Sequence, residues 1–246
     1  MLLALLSDIH ANGPALEAVL ARVKGLGVAK IVFLGDIVGY GPDPVSVIHR
    51  VADHVARGAI VIRGNHDEAA LMGVSKMNKA AAEAIAWTHA QLGADEKSFL
   101  SAMPLSSKQD DILFVHAEAS HPARWIYVTD RNTATTSLAA TDARITFCGH
   151  VHVPALYYMS AIGRAVGHLP TTGIPIPLGE PRKWLAVCGA VGQPRDNNPA
   201  ASFATFDTVT LRLTYHRVSY DAEQVAMRIR AAGLPESLAL RLVKGQ

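Results

Sequence analysis

Side chains that can bind metal ions follow five short apolar runs of this sequence. They are Asp8 and His10 after residues 2–6, Asp36 after 31–34, Asn65 after 60–62, His116 after 112–115, and His150 and His152 after 145–148. Such runs are typical of buried strands in a parallel sheet. Because ligands gather at the carboxyl ends of such strands, the sequence predicts a polynuclear metal site at one sheet edge.

The mixture of imidazole and carboxylate donors suits Mn, Fe, Co, Ni or Zn rather than Ca or Mg. Any one of these short motifs is weak, because an Asp-x-His or His-x-His pair is more often a capped turn or a surface pair. In a strand, residues two apart point the same way. We therefore expect Asp8 and His10 to face one ion, and His150 and His152 likewise. The combination of all five strand ends is what indicates a metal site.

The order of these blocks resembles the calcineurin-like metallophosphoesterases. The matching blocks are Asp8-Ile9-His10, Gly35-Asp36, Gly64-Asn65-His66-Asp67, His116 and Gly149-His150-Val151-His152. A further segment, residues 189–196, resembles a block of the small prokaryotic phosphodiesterase branch. The resemblance implies an α/β fold, a four-layer α/β/β/α sandwich with two packed mixed sheets. It also implies that residues 1–246 form a single domain.

The same resemblance implies two divalent transition-metal ions and their ligands. One ion would take Asp8, His10, Asp36 and His152, and the other Asp36, Asn65, His116 and His150, with Asp36 bridging. The implied reaction is hydrolysis of phosphodiesters by in-line attack of a metal-bridging hydroxide, with phosphomonoesters as the alternative substrates.

Three residues are candidates for catalysis without binding metal. His66 follows Asn65 directly, so we expect it to reach the leaving-group oxygen as a general acid. Asp67 either fixes the tautomer of His66 or caps a helix. Arg195 either grips a phosphate oxygen or is a solvated surface arginine. Tyr40 lines the pocket or packs in the interior.

An aromatic segment, residues 121–127, follows His116 closely and contains Trp125 and Tyr127. One interpretation is a lid over the site for a nucleobase or aryl group. The other is a hydrophobic anchor for the loop. His121 belongs to the same segment and is open to both interpretations.

Two departures separate this chain from other branches of the family it resembles. Protein serine/threonine phosphatases and symmetric dinucleoside-tetraphosphate hydrolases have Asp-x-His-Gly and a Val-Asp-Arg-Gly block. Here Ala11 follows His10, and Ile37-Val38-Gly39-Tyr40 follows Asp36, so the phosphate-gripping arginine of that block is missing. This disfavours a protein phosphatase, and the resemblance of the five blocks and of residues 189–196 favours a phosphodiesterase. A non-catalytic scaffold, like the retromer subunit of this fold, is the alternative, although this chain keeps every ligand and His66.

Composition limits the partners. The 246 residues carry a net charge of +2, and the basic residues are scattered, so no clear nucleic-acid footprint is present and we expect a small phosphoester substrate. Cys148 and Cys188 lie inside apolar runs, which is typical of a reducing compartment. The sequence suggests neither a signal peptide nor a membrane span, so we expect a cytoplasmic protein. A homo-oligomer is compatible with the sequence.

Strand and helix patterns alternate over the first ~150 residues, which predicts a mostly parallel sheet with right-handed crossovers. After His152, short strands joined by turns predict an antiparallel second sheet packed on the first. Residues 170–181, rich in proline, are expected to form a loop or hairpin tip. The helices are predicted from 14 to 25, 43 to 58, 78 to 92, 95 to 102, 133 to 140, after Asp221, and from 235 to 245.

Overall fold

The computed structural model describes residues 1–73 and 77–246. The strands are β1 Leu2–Leu6, β2 Lys30–Phe33, β3 Ile60–Val61, β4 Ser106–Gln109, β5 Ile112–Val115, β6 Ile145–Cys148, β7 Ala155–Met159, β8 Ala165–His168, β9 Ile176–Pro177, β10 Trp184–Val187, β11 Ala201–Asp207 and β12 Arg212–Val218. The α-helices are α1 Gly13–Gly25, α2 Pro44–Ala56, α3 Asn65–Met72, α4 Lys79–Gln91, α5 Ala94–Ala102, α6 Arg131–Ala139, α7 Ala222–Ala231 and α8 Glu236–Lys244. A 3₁₀ turn, Pro122–Arg124, precedes α6.

The strands form two six-stranded mixed sheets. The first has the order β3-β2-β1-β11-β12-β9, and the second has the order β4-β5-β6-β10-β7-β8. In the first sheet β1 pairs in parallel with β2 and antiparallel with β11. In the second sheet β10 pairs in parallel with β6 and antiparallel with β7. The first sheet therefore has a parallel half next to an antiparallel half, and in the second sheet the parallel strands β5, β6 and β10 lie between antiparallel neighbours on both sides.

Side-chain alternation along the strands separates the layers. Leu3 and Leu5 of β1 pack with Phe147 of β6 in a core between the two sheets. The intervening Ala4 and Leu6 instead pack against the helices α1 and α2. On the outer face of the second sheet, Leu138 of α6 covers β6 and β10. This arrangement is the predicted four-layer α/β/β/α sandwich.

The predicted division of the strands between the sheets is wrong. We expected the first 150 residues to build one sheet and the remainder to build the other. Instead β5 and β6 leave the sheet of β1–β3, and β11 returns to pair with β1. Hydrophobic periodicity reports which face of a strand is buried but not which neighbour it pairs with.

Three local elements were not predicted. Helix α3 begins at Asn65, directly within the predicted ligand block. The polar strand β4 forms an antiparallel hairpin with β5, and the short β9 within the predicted 170–181 loop pairs with β12. Asp43 stands at the N-cap of α2 as predicted, but its carboxylate makes no capping bond and pairs with Arg228.

Among the described residues, no helix is long and apolar enough to cross a membrane.

Candidate metal centre

The predicted Asp and His ligands lie on the loops that follow the strands rather than on the strands themselves, and Asn65 is the first residue of α3. The loop after β1 is bonded to the loop after β2, because the amides of Asp8 and His10 donate to Gly35 and Asp36 at 3.0 and 2.9 Å. Asp8, His10 and Asp36 have positive φ angles of 54°, 49° and 52°. Left-handed backbone is uncommon outside glycine and clusters at functional sites. The alternation expected of a strand therefore does not set these side-chain directions.

The loops of the two sheets bring the Asp and His candidates into two overlapping groups. Within each group the potential ligand atoms all lie within 4.8 Å of one another. The groups are Asp8, His10, Asp36 and His152, and Asp36, His116 and His150. His150 and His152 thus belong to different groups, so the expectation that they face one ion through strand alternation is wrong. Both residues have positive φ angles, 67° and 64°, so neither has the backbone conformation of a strand.

Asp36 belongs to both groups. Its Oδ1 accepts a hydrogen bond from the amide of His66 at 2.8 Å. Its Oδ2 is buried without a hydrogen-bond partner and lies 3.7 Å from Nε2 of His10 and 3.4 Å from Nε2 of His116. One carboxylate oxygen is therefore anchored by the backbone, and the other faces both groups.

Each of the four histidines of the two groups has one ring nitrogen bonded to a backbone carbonyl. The bonds join Nδ1 of His10 to Val38 at 3.2 Å, Nδ1 of His116 to Leu34 at 2.7 Å, Nδ1 of His152 to Gln193 at 2.6 Å, and Nε2 of His150 to Trp125 at 2.9 Å. A carbonyl only accepts, so these nitrogens carry the protons. In the neutral form of each ring, the other nitrogen turns a lone pair toward its neighbours.

Asn65, the first residue of α3, is buried, and its Oδ1 has no hydrogen-bond partner. Its Nδ2 contacts Sδ of Met77 at 4.0 Å. A buried amide oxygen left unbonded costs free energy unless another group satisfies it. The same holds for Oδ2 of Asp36. These two oxygens and the four imidazole lone pairs together form a set of donors that fits divalent transition-metal ions.

The electrostatics of the centre agree with a site built for positive charge. Burial lowers the pKa of His150 to about 3. Burial also disfavours protonation of His116, but the neighbouring Asp36 carboxylate outweighs it and raises the pKa of His116 to about 9. Burial opposes ionisation of Asp36 as well, but the charges of His116, His66 and His10 together with the hydrogen bond from His116 overcome it, so the pKa of Asp36 is lowered. Buried carboxylates thus draw positive charge to this place.

His66 lies beside the first group. Its ring is edge-on to His10, with centroids 4.8 Å apart, and contacts Tyr40 at 4.4 Å. Its Nδ1 is buried without a hydrogen-bond partner. Gly39, at φ 87°, passes so close that a Cβ there would collide with this nitrogen. Burial lowers the pKa of His66 to about 4.

Asp67 does not hold His66, so that interpretation is wrong. Its Oδ1 accepts from the amides of Ile37 and Val38 at 2.8 and 3.2 Å, and its Oδ2 accepts from Gly64 at 2.9 Å. Asp67 therefore takes the other role considered: it caps α3, and it also ties that helix to the loop carrying Asp36. Burial, reinforced by the Asp36 charge, raises the pKa of Asp67 to about 7.

Arg195 is half-buried at the rim of the centre. Its Nη2 donates to Oε1 of Gln193 at 3.0 Å and lies 3.5 Å from the hydroxyl of Tyr40. Its amide donates to the carbonyl of His152 at 3.2 Å. Sequence reasoning missed Gln193, whose side chain holds Arg195 and whose carbonyl holds His152. A glutamine two residues before an arginine gave no signal of this double role.

The aromatic segment reaches the centre through Trp125 and Tyr127. The carbonyl of Trp125 holds His150, and the ring of Tyr127 stacks on His150 with centroids 3.9 Å apart at 18°. Burial raises the pKa of the Tyr127 hydroxyl, and the charge of Arg195 opposes that rise. His121 is exposed and contacts the hydroxyl of Ser120. The segment overhangs the second group at Tyr127, not at His121.

A fold of two mixed sheets with an Asp/His centre between their loops defines the class of metallophosphoesterases. Residues 1–211 match the model of the calcineurin-like phosphoesterase superfamily domain. The chain belongs to this superfamily, whose members generally hydrolyse phosphoester bonds.

Three proteins are similar to this chain over its whole length. An uncharacterised protein of Methanocaldococcus jannaschii is 34% identical over 100% of this chain and 98% of its own. The crystal structure of a metallophosphoesterase from Sphaerobacter thermophilus is 36% identical, covers both chains completely and superposes with a TM-score of 0.88. A hypothetical protein of Pyrococcus horikoshii, 22% identical over 100% of this chain and 98% of its own, shares the fold with a TM-score of 0.80.

Proposed function

We propose that this protein is a dinuclear metal-dependent phosphoesterase that hydrolyses phosphodiesters. The observation that carries the proposal is the position of Asp36, whose unbonded Oδ2 faces both His10 and His116. A buried carboxylate between two sets of lone-pair donors is suited to bridge two cations.

In this proposal each ion has its own ligands and the two share Asp36. The first would be held by Asp8, His10, Asp36 and His152, and the second by Asp36, Asn65, His116 and His150. Two such divalent ions supply Lewis-acid chemistry, since they lower the pKa of water and neutralise the charge of phosphate oxygens. The native metals would come from Mn, Fe, Zn, Co and Ni.

The remaining roles belong to His66 and Arg195. His66 lies against His10 beside the first group, where its ring would give a proton to the leaving-group oxygen. Arg195 is held at the rim by Gln193, where its guanidinium can donate to a phosphate oxygen. Asp67 would act only by fixing the loop of Asp36.

The preference for diesters rests on residues 37–40. The family's phosphatases carry an arginine in the corresponding block, and this chain has the apolar Ile37 and Val38 followed by Gly39 and Tyr40. With Arg195 as the rim cation, a phosphate bearing two ester groups and one negative charge fits better than a dianionic monoester.

We also propose that residues 1–246 form one domain, because both sheets mix strands from the two halves of the chain. A cytoplasmic location agrees with the free, buried Cys148 and Cys188.

The test is metal content together with turnover. The protein is loaded separately with Mn, Co, Ni and Zn, and bound metal is counted by mass spectrometry. Bis(4-nitrophenyl) phosphate and 4-nitrophenyl phosphate are then assayed side by side. Two bound ions and a higher kcat/KM for the diester are expected. Two bound ions without turnover of either ester would favour the scaffold, and a faster monoester would make the protein a phosphomonoesterase.

A further inference from the structure

The outer face of Tyr127 is the feature of this site that the proposed chemistry does not use. The side chain is 48% exposed, although one face of its ring lies against the buried His150. Among the large hydrophobic residues that are exposed in the described part of the chain, Tyr127 is the only aromatic one. Its exposed surface therefore belongs to the opposite face and the edge of the ring.

The backbone on both sides of Tyr127 is fixed. The carbonyl of Trp125 accepts from His150, and the carbonyl of Ile126 accepts from the amide of Glu118 at 3.2 Å. Val128, the next residue, is buried in the core beneath α6. An aromatic residue whose backbone is fixed on both sides loses little conformational entropy when a ligand stacks on its ring.

The ring also stands beside the groups that would hold the phosphate. Tyr127 contacts His150 of the second ligand group, and the charge of Arg195 acts on its hydroxyl. A phosphate at the centre would place one of its ester groups near the open face of Tyr127. Flat aromatic groups gain the most on such a platform, since stacking on an aromatic side chain stabilises a bound base.

We propose that Tyr127 is a specificity-determining residue that stacks on a flat aromatic group of the phosphoester, such as a nucleobase. This inference rests on the proposed function for the position of the phosphate. Two sources share this chemistry, nucleotides and simple aryl phosphates.

The experiment measures binding, independently of turnover, with two matched pairs of phosphates. Adenosine 5′-monophosphate is compared with ribose 5-phosphate, which lacks only the base. Phenyl phosphate is compared with cyclohexyl phosphate, which has a saturated ring of similar size. Each is titrated by calorimetry into metal-loaded wild type, Tyr127→Phe and Tyr127→Leu. Metal content is measured for all three proteins.

In the wild type and Tyr127→Phe, at least one aromatic ligand is expected to bind roughly 10-fold tighter than its matched partner. In Tyr127→Leu that ratio is expected to fall to about one, while ribose 5-phosphate binds as before. A preference in the adenosine pair alone assigns a nucleobase, and a preference in both pairs assigns any aromatic ring.

Two results would overturn the inference: equal binding within both pairs in the wild type, or a preference that Tyr127→Leu leaves intact. If Tyr127 only supports His150, Tyr127→Leu would weaken all four ligands alike and lower metal content, which also rejects specificity. Absence of turnover with any metal would reject the proposed function and leave these binding ratios readable.

Discussion

Oδ2 of Asp36 lies 3.4 Å from Nε2 of His116, although the two residues follow strands of different sheets. Asp36 follows β2 in one sheet, and His116 follows β5 in the other. The centre therefore exists only when the two sheets pack face to face. Its integrity and that of the sandwich are coupled.

Asp36→Asn is expected to lose both ions and nearly all turnover together. The amide can still accept from His66 through its oxygen, so the local fold should survive. Its NH2 group would face His10 and His116 where the unbonded oxygen stood, and it removes one negative charge. Metal content by mass spectrometry and kcat for bis(4-nitrophenyl) phosphate check this. Asp142→Asn, at an exposed surface pair with Lys108, is the control. Two ions retained in Asp36→Asn would contradict the bridging role.

His66→Gln is expected to keep both ions and to lower kcat by roughly 10²–10⁴-fold for diesters with alkyl leaving groups. The loss should be smaller for 4-nitrophenyl esters, because a nitrophenolate departs without a proton. The comparison of kcat for the two ester types is the measurement. An equal loss for both types would mean that His66 positions the substrate and does not donate a proton.

Arg195→Lys is expected to lower kcat/KM by roughly 10-fold, because the ammonium group cannot replace the two-pronged guanidinium on a phosphate. Gln193→Ala should give a smaller loss of the same kind, since it frees Arg195 without removing its charge. Steady-state kinetics with metal-saturated enzyme separate these effects. If Arg195 is a solvated surface residue, both variants will behave as the wild type.

Metal-free protein should lose stability as the pH falls, in part through His66. The pKa of His66 is lowered to about 4 in the folded chain, against about 6.5 when unfolded. The unfolded chain therefore binds the proton first, and folding stability falls from about pH 6.5 down to about pH 4. The buried ring sets an upper limit of roughly 3 kcal/mol for this contribution.

Because other groups of the centre also titrate in this pH range, the test compares the pH dependence of the free energy of unfolding between the wild type and His66→Gln. The free energy of unfolding of metal-free wild type is measured in urea from about pH 7 to about pH 4. That of His66→Gln is measured under the same conditions. The variant should gain relative to the wild type as the pH falls. Parallel curves would show that His66 does not carry this dependence.

Metal binding is expected to raise the melting temperature. Two buried carboxylates and four imidazoles come together only in the folded chain, so the ions are expected to bind the native state selectively. With metal about 1,000-fold above Kd, each site contributes roughly 4 kcal/mol. For a chain of this size, two sites correspond to a rise of roughly 10 °C or more. Thermal unfolding with and without chelator measures it, and Asp36→Asn should show little rise.

Much of the site could be predicted from the sequence, because its residues follow buried strands. The apolar runs before Asp8, Asp36 and His116 identify strands β1, β2 and β5. Within one sheet, parallel strands deliver the residues after them to a common edge, and here the packing of the two sheets brings two such edges together. The four-layer arrangement was predicted from the resemblance, and the structure confirms it.

The ring orientations could not be predicted in this way. They depend on backbone carbonyls, such as those of Val38 and Leu34, and a carbonyl is present at every position of any sequence. His150 and His152 have positive φ angles, which neither residue type requires, so the alternation of a strand does not predict the separate groups to which they belong. The capping role of Asp67 was visible only as one of two alternatives until helix α3 was located.

The sequence by itself thus determined which side chains are available for metal and phosphate chemistry, because the residues that follow each buried strand can be read directly from the order of residue types. The tertiary structure decided which ligands share a group, which oxygen of Asp36 stays unbonded, and that Tyr127 lies over His150. These are relations between loops far apart in sequence, and they are set by the packing of one sheet on the other.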